Sequence, residues 1–378
     1  MQVITSTAHL AQVCQSLVSA EFITVDTEFM REQTFWPELC LVQIASDTVE
    51  AVVDPLAPGI DLKPFYDLMG HTGVTKVFHA ARQDIEIMYT EAGLIPAPIF
   101  DTQVAASVCG YGDSVSYVNL VRDITGHDID KSSRFTDWSR RPLTDKQLVY
   151  ALGDVTHLRD VYRHLRGKLD ATGRTSWLTE EMAGLTHPET YETRPEDAWK
   201  RLKMRTKNRK SFSVLIELAA WRERAAQGQN VPRSRVLRDE ALYDIANQMP
   251  TTAEQLGSLR TLSDGFSRSQ RAREILEAVQ SLPQMNHARA VSAEAGATIE
   301  LLKVLLKAAA AKHGVAPRLI ADTEELERIA AEDEPDVLAL KGWRRQLFGE
   351  DAVRLKRGEL ALTLAGGEVK VLPGNGGT

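Results

Sequence analysis

The sequence predicts an α/β domain built on a mixed sheet, followed by an all-helical region made of two similar bundles. Three observations carry that prediction. Runs rich in β-branched and aromatic residues alternate with helical periodicity through the first half of the chain. Beyond about Pro195 the strand signals vanish and only helical spacing remains. Within that second half a pattern recurs: Val231-Pro232-Arg233 followed by Leu242, Ile245 and Ala246 returns as Ala316-Pro317-Arg318 followed by Leu326, Ile329 and Ala330.

Taken in order, Ser6 or Thr7 is placed to cap a first helix with Leu10, Val13 and Leu17 on one face. The run 22–29 (FITVDTEF) reads as a strand, yet it carries Asp26 and Glu28 two residues apart. Side chains alternate across a strand, so both acids project from one face. A buried strand does not hold two like charges cheaply, so either that face is open to water or cations sit on it. Runs 39–45 and 49–54 read as two further strands, and the short Ser46-Asp47-Thr48 link between them predicts an antiparallel hairpin. After Pro55 the pattern becomes βα-like: a helix near 62–69, a strand over 75–79, then a helix containing Asp84, Ile85, Ile87 and Met88. Asp84 falls just beyond a strand's carboxyl end, the edge where open α/β sheets bind ligands. An acid in a first helical turn equally serves the helix dipole. Asp101 before an Ala-rich helix reads as an N-cap.

The segment 130–143 (DKSSRFTDWSRRPL) is polar, basic and irregular. Its Lys131, Arg134, Arg140 and Arg141 are candidates for phosphate contacts, whereas a lone loop tryptophan, Trp138, more often anchors than stacks on a base. Thr144 caps the next helix, on which Tyr150 and Asp154 share a face at i, i+4 spacing. Gly153 beside Asp154 permits close approach of another element, although it weakens the helix.

Asp26, Glu28, Asp84 and Asp154 thus lie on three elements that a sheet can gather at one edge. If they converge, their repulsion needs neutralising, and oxygen ligands without a His or Cys cluster suit hard divalent cations, Mg²⁺ or Mn²⁺. Two such ions about 3.5–4 Å apart form an arrangement that hydrolyses phosphodiesters. Tyr150 then orients the attacking water, since a phenol with its ordinary pKa of about 10 is a poor base.

The three blocks VDTEF (25–29), FHAARQDIEIM (78–88) and YALGDVTHL (150–158) resemble the three exonuclease motifs of the DEDD superfamily. Tyr150, where other branches place histidine, resembles the DEDDy branch, and the loop KSSRFTDWSRRPLT (131–144) resembles the bacterial ribonuclease D family in particular. The resemblance implies a ribonuclease-H-like sheet and 3′→5′ hydrolysis releasing nucleoside 5′-monophosphates. It implies that Asp26 bridges two metal ions, that Glu28 and Asp154 hold the ion that activates water, and that Asp84 serves the other. Thr27 and Phe29, with Trp36 and His79, are the candidates it suggests for a terminal-nucleotide pocket.

The repeated helical pattern fits two five-helix bundles and resembles tandem HRDC domains. The expected boundaries are 1–190 for the exonuclease, 195–290 for the first bundle with its basic approach, and 291–372 for the second. Net charge is −7, but residues 194–238 carry a net +9, including Lys203, Arg205 and Lys207. One dense basic segment on an acidic chain points to a polyanion held at a defined place, or to a solvated helix face. The Gly-rich tail from Pro373 is expected to fray.

No apolar run is long enough to span a bilayer, no signal peptide opens the chain, and the three cysteines are scattered singly. These features predict a cytoplasmic protein with no membrane partner, and the chain is expected to act as a monomer. The ribonuclease D resemblance implies that its substrates are 3′ ends of tRNA precursors and small structured RNAs. Competing readings are a DNA 3′→5′ exonuclease of proofreading or repair type, which the carboxylates alone do not exclude, and a non-catalytic RNA-binding adaptor, which the complete acid set argues against.

Overall fold

The computed structural model describes residues 3–130, 136–203, 206, 208–280 and 295–374. The first half is a three-layer α/β domain. Strands β1 (Val3–Ile4), β2 (Phe22–Met30), β3 (Glu38–Ala45), β4 (Glu50–Val53), β5 (Thr75–Phe78) and β6 (Ile99–Asp101) form one sheet in the order β1-β4-β3-β2-β5-β6. The β2, β3 and β4 neighbours are antiparallel, as their short connections require. Strands β1, β5 and β6 join in parallel, because a helix or more lies between each and its partner.

Helices α1 (Thr7–Leu17), α2 (Lys63–Gly70) and α3 (Arg82–Ala92) cover one face. Their core partners on β2 are Ile23 and Val25. Helices α4 (Thr102–Val108), α5 (Tyr117–Thr125), α6 (Asp145–Thr172) and α7 (Thr175–Thr186) cover the other, where Phe22 of β2 joins their core. The period of two along β2 therefore assigns Phe22, Thr24, Asp26 and Glu28 to the α6 side. Ser6, Asp101 and Thr144 each cap the helix expected of them, and Thr144 completes a capping box with Gln147.

The second half contains two helical bodies. The first comprises α8 (Arg209–Gln229), α9 (Arg233–Val236), α10 (Asp239–Gln248), α11 (Ala253–Gly257) and α12 (Gln270–Gln280), around Val214, Leu218, Leu242, Ile245 and Ile275. The second comprises α13 (Ala295–His313), α14 (Pro317–Ile320), α15 (Thr323–Ala331), α16 (Gly342–Arg344) and α17 (Glu350–Lys356), around Leu302, Leu305, Ile320, Leu326 and Phe348. The repeat is visible as a long helix, a four-residue helix at the Pro-Arg pair, and a helix of nine or ten residues.

The expectation of a purely helical second half is corrected at its end. Strands β7 (Leu360–Ala365) and β8 (Glu368–Pro373) pair as an antiparallel hairpin. Gly366 and Gly367, at φ 62° and 83°, supply the two left-handed residues that a tight hairpin turn demands. The expected fraying point, Pro373, is the last residue of β8; residues 375–378 lie outside those described.

The second body docks firmly on the α/β domain. Trp343 stacks on Trp177 at 4.7 Å, and Arg344 meets Glu181 at 2.5 Å with both side chains about nine-tenths buried. A Cβ on Gly110 would lie 2.5 Å from the Gly314 carbonyl oxygen, so this contact admits only glycine.

Candidate active site

Three elements bring the predicted acids together. One carboxylate oxygen each from Asp26, Glu28 and Asp154 lies within 4.8 Å of the others. The Thr24 hydroxyl makes this possible: it lies 2.8 Å from the Val155 carbonyl and 3.2 Å from that of Ala45, tying α6 to the sheet one residue past Asp154. A β-bulge at Glu28/Phe29 interrupts the pairing with β3 just where the second acid is presented.

Asp84 arrives from the opposite layer. Its carboxylate accepts a 2.5 Å hydrogen bond from the Thr27 hydroxyl, whose side chain projects from the α3 side of β2. The turn leading into α3 is held by Asp101, whose carboxylate accepts from the backbone N–H groups of Ala80 and Ala81 at 3.1 and 2.8 Å. Ala80 sits at φ 61°, a left-handed conformation costly for alanine, and these bonds help to sustain it. Asp101 is thus both a cap, as the sequence predicts, and a brace for the turn that delivers Asp84.

The electrostatics are those of acids held together against their own repulsion. Burial, then the charges of Asp84, Asp154 and Glu28, push the Asp26 carboxyl well above its ordinary range. Burial pushes Asp84 up to about 7, against the opposing Thr27 hydrogen bond. A cluster of hard oxygen donors that resists accumulating negative charge fits a divalent cation of the Mg²⁺ or Mn²⁺ kind.

Tyr150 lies one turn before Asp154 on α6, with its ring centroid 6.0 Å from that of Trp138. Trp138 is 2% exposed and anchors its loop, as expected of a lone tryptophan there. A Cβ at Gly153 would meet nothing within 4 Å, while its carbonyl is approached by the Tyr117 hydroxyl at 2.9 Å.

The remaining candidates divide. Thr27 is at the site through Asp84. Phe29 is half-buried against the core on the α3 side. His79 is half-buried, its Nδ1 3.0 Å from the Thr102 hydroxyl, and desolvation lowers its pKa, favouring a neutral ring. Trp36 packs edge-on against Phe35 at 4.7 Å, beside Trp221 and Ala225 of α8. Lys131, Arg134, Arg205 and Lys207 lie outside the described residues, and Lys203 is exposed.

Arg141, read as a phosphate candidate, is turned inward. Its guanidinium donates to both Asp54 carboxylate oxygens and to the carbonyls of Cys40, Trp138 and Arg140, which occupies all five of its N–H groups. Much of the basic run is also engaged in cis. Arg201 and Arg233 share Glu223, Arg222 pairs with Asp239, Arg224 with Glu196, Lys200 with Asp197, and Arg194 with Glu192.

Two residues at the site have no signal in the sequence. The Tyr117 hydroxyl donates to the Gly153 carbonyl at 2.9 Å, and burial together with Asp154 and Asp26 raises its pKa. Gln43 is the cross-strand partner of Asp26, fully buried, and neither amide atom has a partner among the described residues.

Fold and site together define a nuclease of the ribonuclease-H-like 3′–5′ exonuclease class. The 3′–5′ exonuclease family matches residues 1–170, and the HRDC domain family matches residues 211–279. Ribonuclease D of Nitrobacter hamburgensis is 55% identical over 98% of this chain and 98% of that protein, and ribonuclease D of Granulibacter bethesdensis is 48% identical over 98% and 96%. The crystal structure of Escherichia coli RNase D, described as an exoribonuclease involved in structured RNA processing, superposes with a TM-score of 0.83 at 28% identity, covering 94% of this chain and 98% of that one. The chain belongs to the ribonuclease D family.

Proposed function

We propose that this exoribonuclease removes nucleoside 5′-monophosphates from RNA 3′ ends using two divalent cations, Mg²⁺ or Mn²⁺. The observation that carries the reading is the gathering of Asp26, Glu28 and Asp154 within 4.8 Å, with Asp84 held against Thr27 beside them. Asp26 would be shared between the ions, Glu28 and Asp154 would complete one set of ligands, and Asp84 would contribute to the other. Bound there, such ions would supply Lewis acidity, lowering the pKa of an attacking water and offsetting charge on the leaving 3′ oxygen. Tyr150, on the same face of α6 as Asp154, would orient that water by hydrogen bonding.

The substrates proposed are 3′ trailers of tRNA precursors and of small structured RNAs. The E. coli relative's role in structured RNA processing supports this, as does a physical argument: a strand must be single to reach acids set within the fold, so a stable stem stops digestion. Residues 1–190 act as the exonuclease, and 195–290 and 291–372 act as tandem HRDC modules of a monomeric, cytoplasmic enzyme. The repeated helix pattern supports assigning the second module to the same kind as the first.

The test is digestion of end-labelled precursor tRNA with Mg²⁺, Mn²⁺ or EDTA, with products identified. Mononucleotides released with either metal, none in EDTA, and a stop near the acceptor stem are expected. Asp26→Ala should abolish release while RNA still binds. Substantial turnover by that variant would refute the bridging role.

A further inference from the structure

The connection between β2 and β3 leaves the strand that carries Asp26 and Glu28 and does not end free. At its start, Arg31 makes a bidentate pair with Glu86 of α3 at 2.8 and 2.9 Å. Beyond it, Phe35 is only 2% exposed, and its buried apolar neighbours belong to the first helical body. It inserts between Ala226 of α8 and Val236 of α9, in the first helical body.

What holds it there is Asn230. This residue ends α8 at φ 47°, a left-handed cap position in which its backbone N–H closes the helix. Its side chain is then turned away from the helix, and Oδ1 accepts hydrogen bonds from the backbone N–H groups of Phe35 and Trp36, both at 3.1 Å. The Arg233 guanidinium lies over the Phe35 ring at 4.5 Å and is itself fixed by two 2.6 Å bonds to buried Glu223. Arg235 reaches Gln33 on the same connection.

From this we infer that Asn230 is a positioning residue for the exonuclease site. It fixes residues 33–36, and through them the β2 end that presents Glu28, so the first helical body is a brace for the active site. The Asn230 side chain hydrogen-bonds the backbone of Phe35 and Trp36, and it acts through them. The inference rests on the exonuclease site and not on the identity of the RNA trimmed.

The left-handed cap and the side-chain acceptor can be separated. Asn230→Gly keeps a residue at ease at positive φ and deletes Oδ1, whereas Asn230→Asp keeps an acceptor oxygen in the same place. In the full-length protein, amide hydrogen exchange of Phe35 and Trp36 should quicken about tenfold in Asn230→Gly, as expected for loss of a neutral hydrogen bond at each, with α8 and α10 unchanged. Turnover of a short single-stranded oligoadenylate in Mg²⁺ should fall about threefold or more with the docked population, and Asn230→Asp should restore both readouts. Phe35→Leu, which weakens docking from the catalytic side, should reproduce the loss if Asn230→Gly does not fold. Unchanged exchange at Phe35 and Trp36, or quickened exchange with undiminished turnover, would overturn the inference. So would Asn230→Asp behaving like Asn230→Gly.

Discussion

Replacing Asp84 by asparagine tests the electrostatic account of the site without depending on catalysis. In the metal-free protein Asp84 is surrounded by protein and its pKa rises from 3.8 to about 7, burial being the largest cause. A carboxyl that binds its proton more tightly when folded contributes stability below about pH 4, and that contribution is lost as pH rises through about 7. Over that interval the loss from Asp84 reaches about 4 kcal/mol, and Asp26 acts in the same direction. Asparagine keeps the shape and an acceptor for Thr27 but carries no charge. In EDTA, urea denaturation should therefore find Asp84→Asn more stable than wild type at pH 8, by up to about 4 kcal/mol, with the gap closing toward pH 4. Mn²⁺ at a hundredfold above its wild-type Kd should return about 2.7 kcal/mol to wild type and less to the variant. A variant no more stable than wild type at pH 8 in EDTA, or a gap independent of pH, would refute the argument that these acids are held together at a cost which a cation relieves.

Three further outcomes follow from named contacts. Arg141→Ala strands the Asp54 carboxylate and frees three carbonyls, so thermal or urea unfolding should show a loss of about 3 kcal/mol; the slope of RNA affinity against salt should stay as in wild type, since no phosphate contact is removed. Gln43→Met exchanges two unpartnered buried amide atoms for an apolar chain of similar size, and metal-free stability should rise by about 1–2 kcal/mol in the same urea assay. Tyr150→Phe should slow hydrolysis about a hundredfold while leaving Mn²⁺ affinity, measured by calorimetry, near that of wild type.

Those parts of the site that depend on local geometry were legible in the sequence. The period of two on β2 sets Asp26 beside Glu28, the i, i+4 spacing on α6 sets Tyr150 beside Asp154, and the strand-to-helix junction sets Asp84 at the sheet's carboxyl edge. What escaped depends on partners distant in the chain. Arg141 meets Asp54, 87 residues earlier, and nothing in a polar loop indicates that all five donors will be spent there. Tyr117 follows an ordinary serine cap, and Gln43 sits in an otherwise apolar strand, so neither type nor spacing marks them. The hairpin at 360–373 was missed because a run of Leu and Ala fits a helix as readily as a strand; the paired glycines were the available signal.

The basic run shows how far net charge can mislead when read along a chain. Over 194–238 the sequence carries +9, which suggests a polyanion-binding face. Among the described residues, six of those bases form ion pairs within the fold, and the arrangement around Glu223 is the most telling. Its carboxylate is 1% exposed, and a lone charge so placed would be expensive. Arg201 and Arg233 both converge on it, and Arg233 then presents its guanidinium to the Phe35 ring. The same positive charge thus balances a buried acid, completes the seat for Phe35 and fixes the approach to the catalytic strand. Arginines in this stretch therefore serve assembly of the helical body against the exonuclease site, and the net charge of +9 already includes Glu196, Asp197 and Glu223; of these pairs, only those to Glu192 and Asp239 draw on acids outside the stretch.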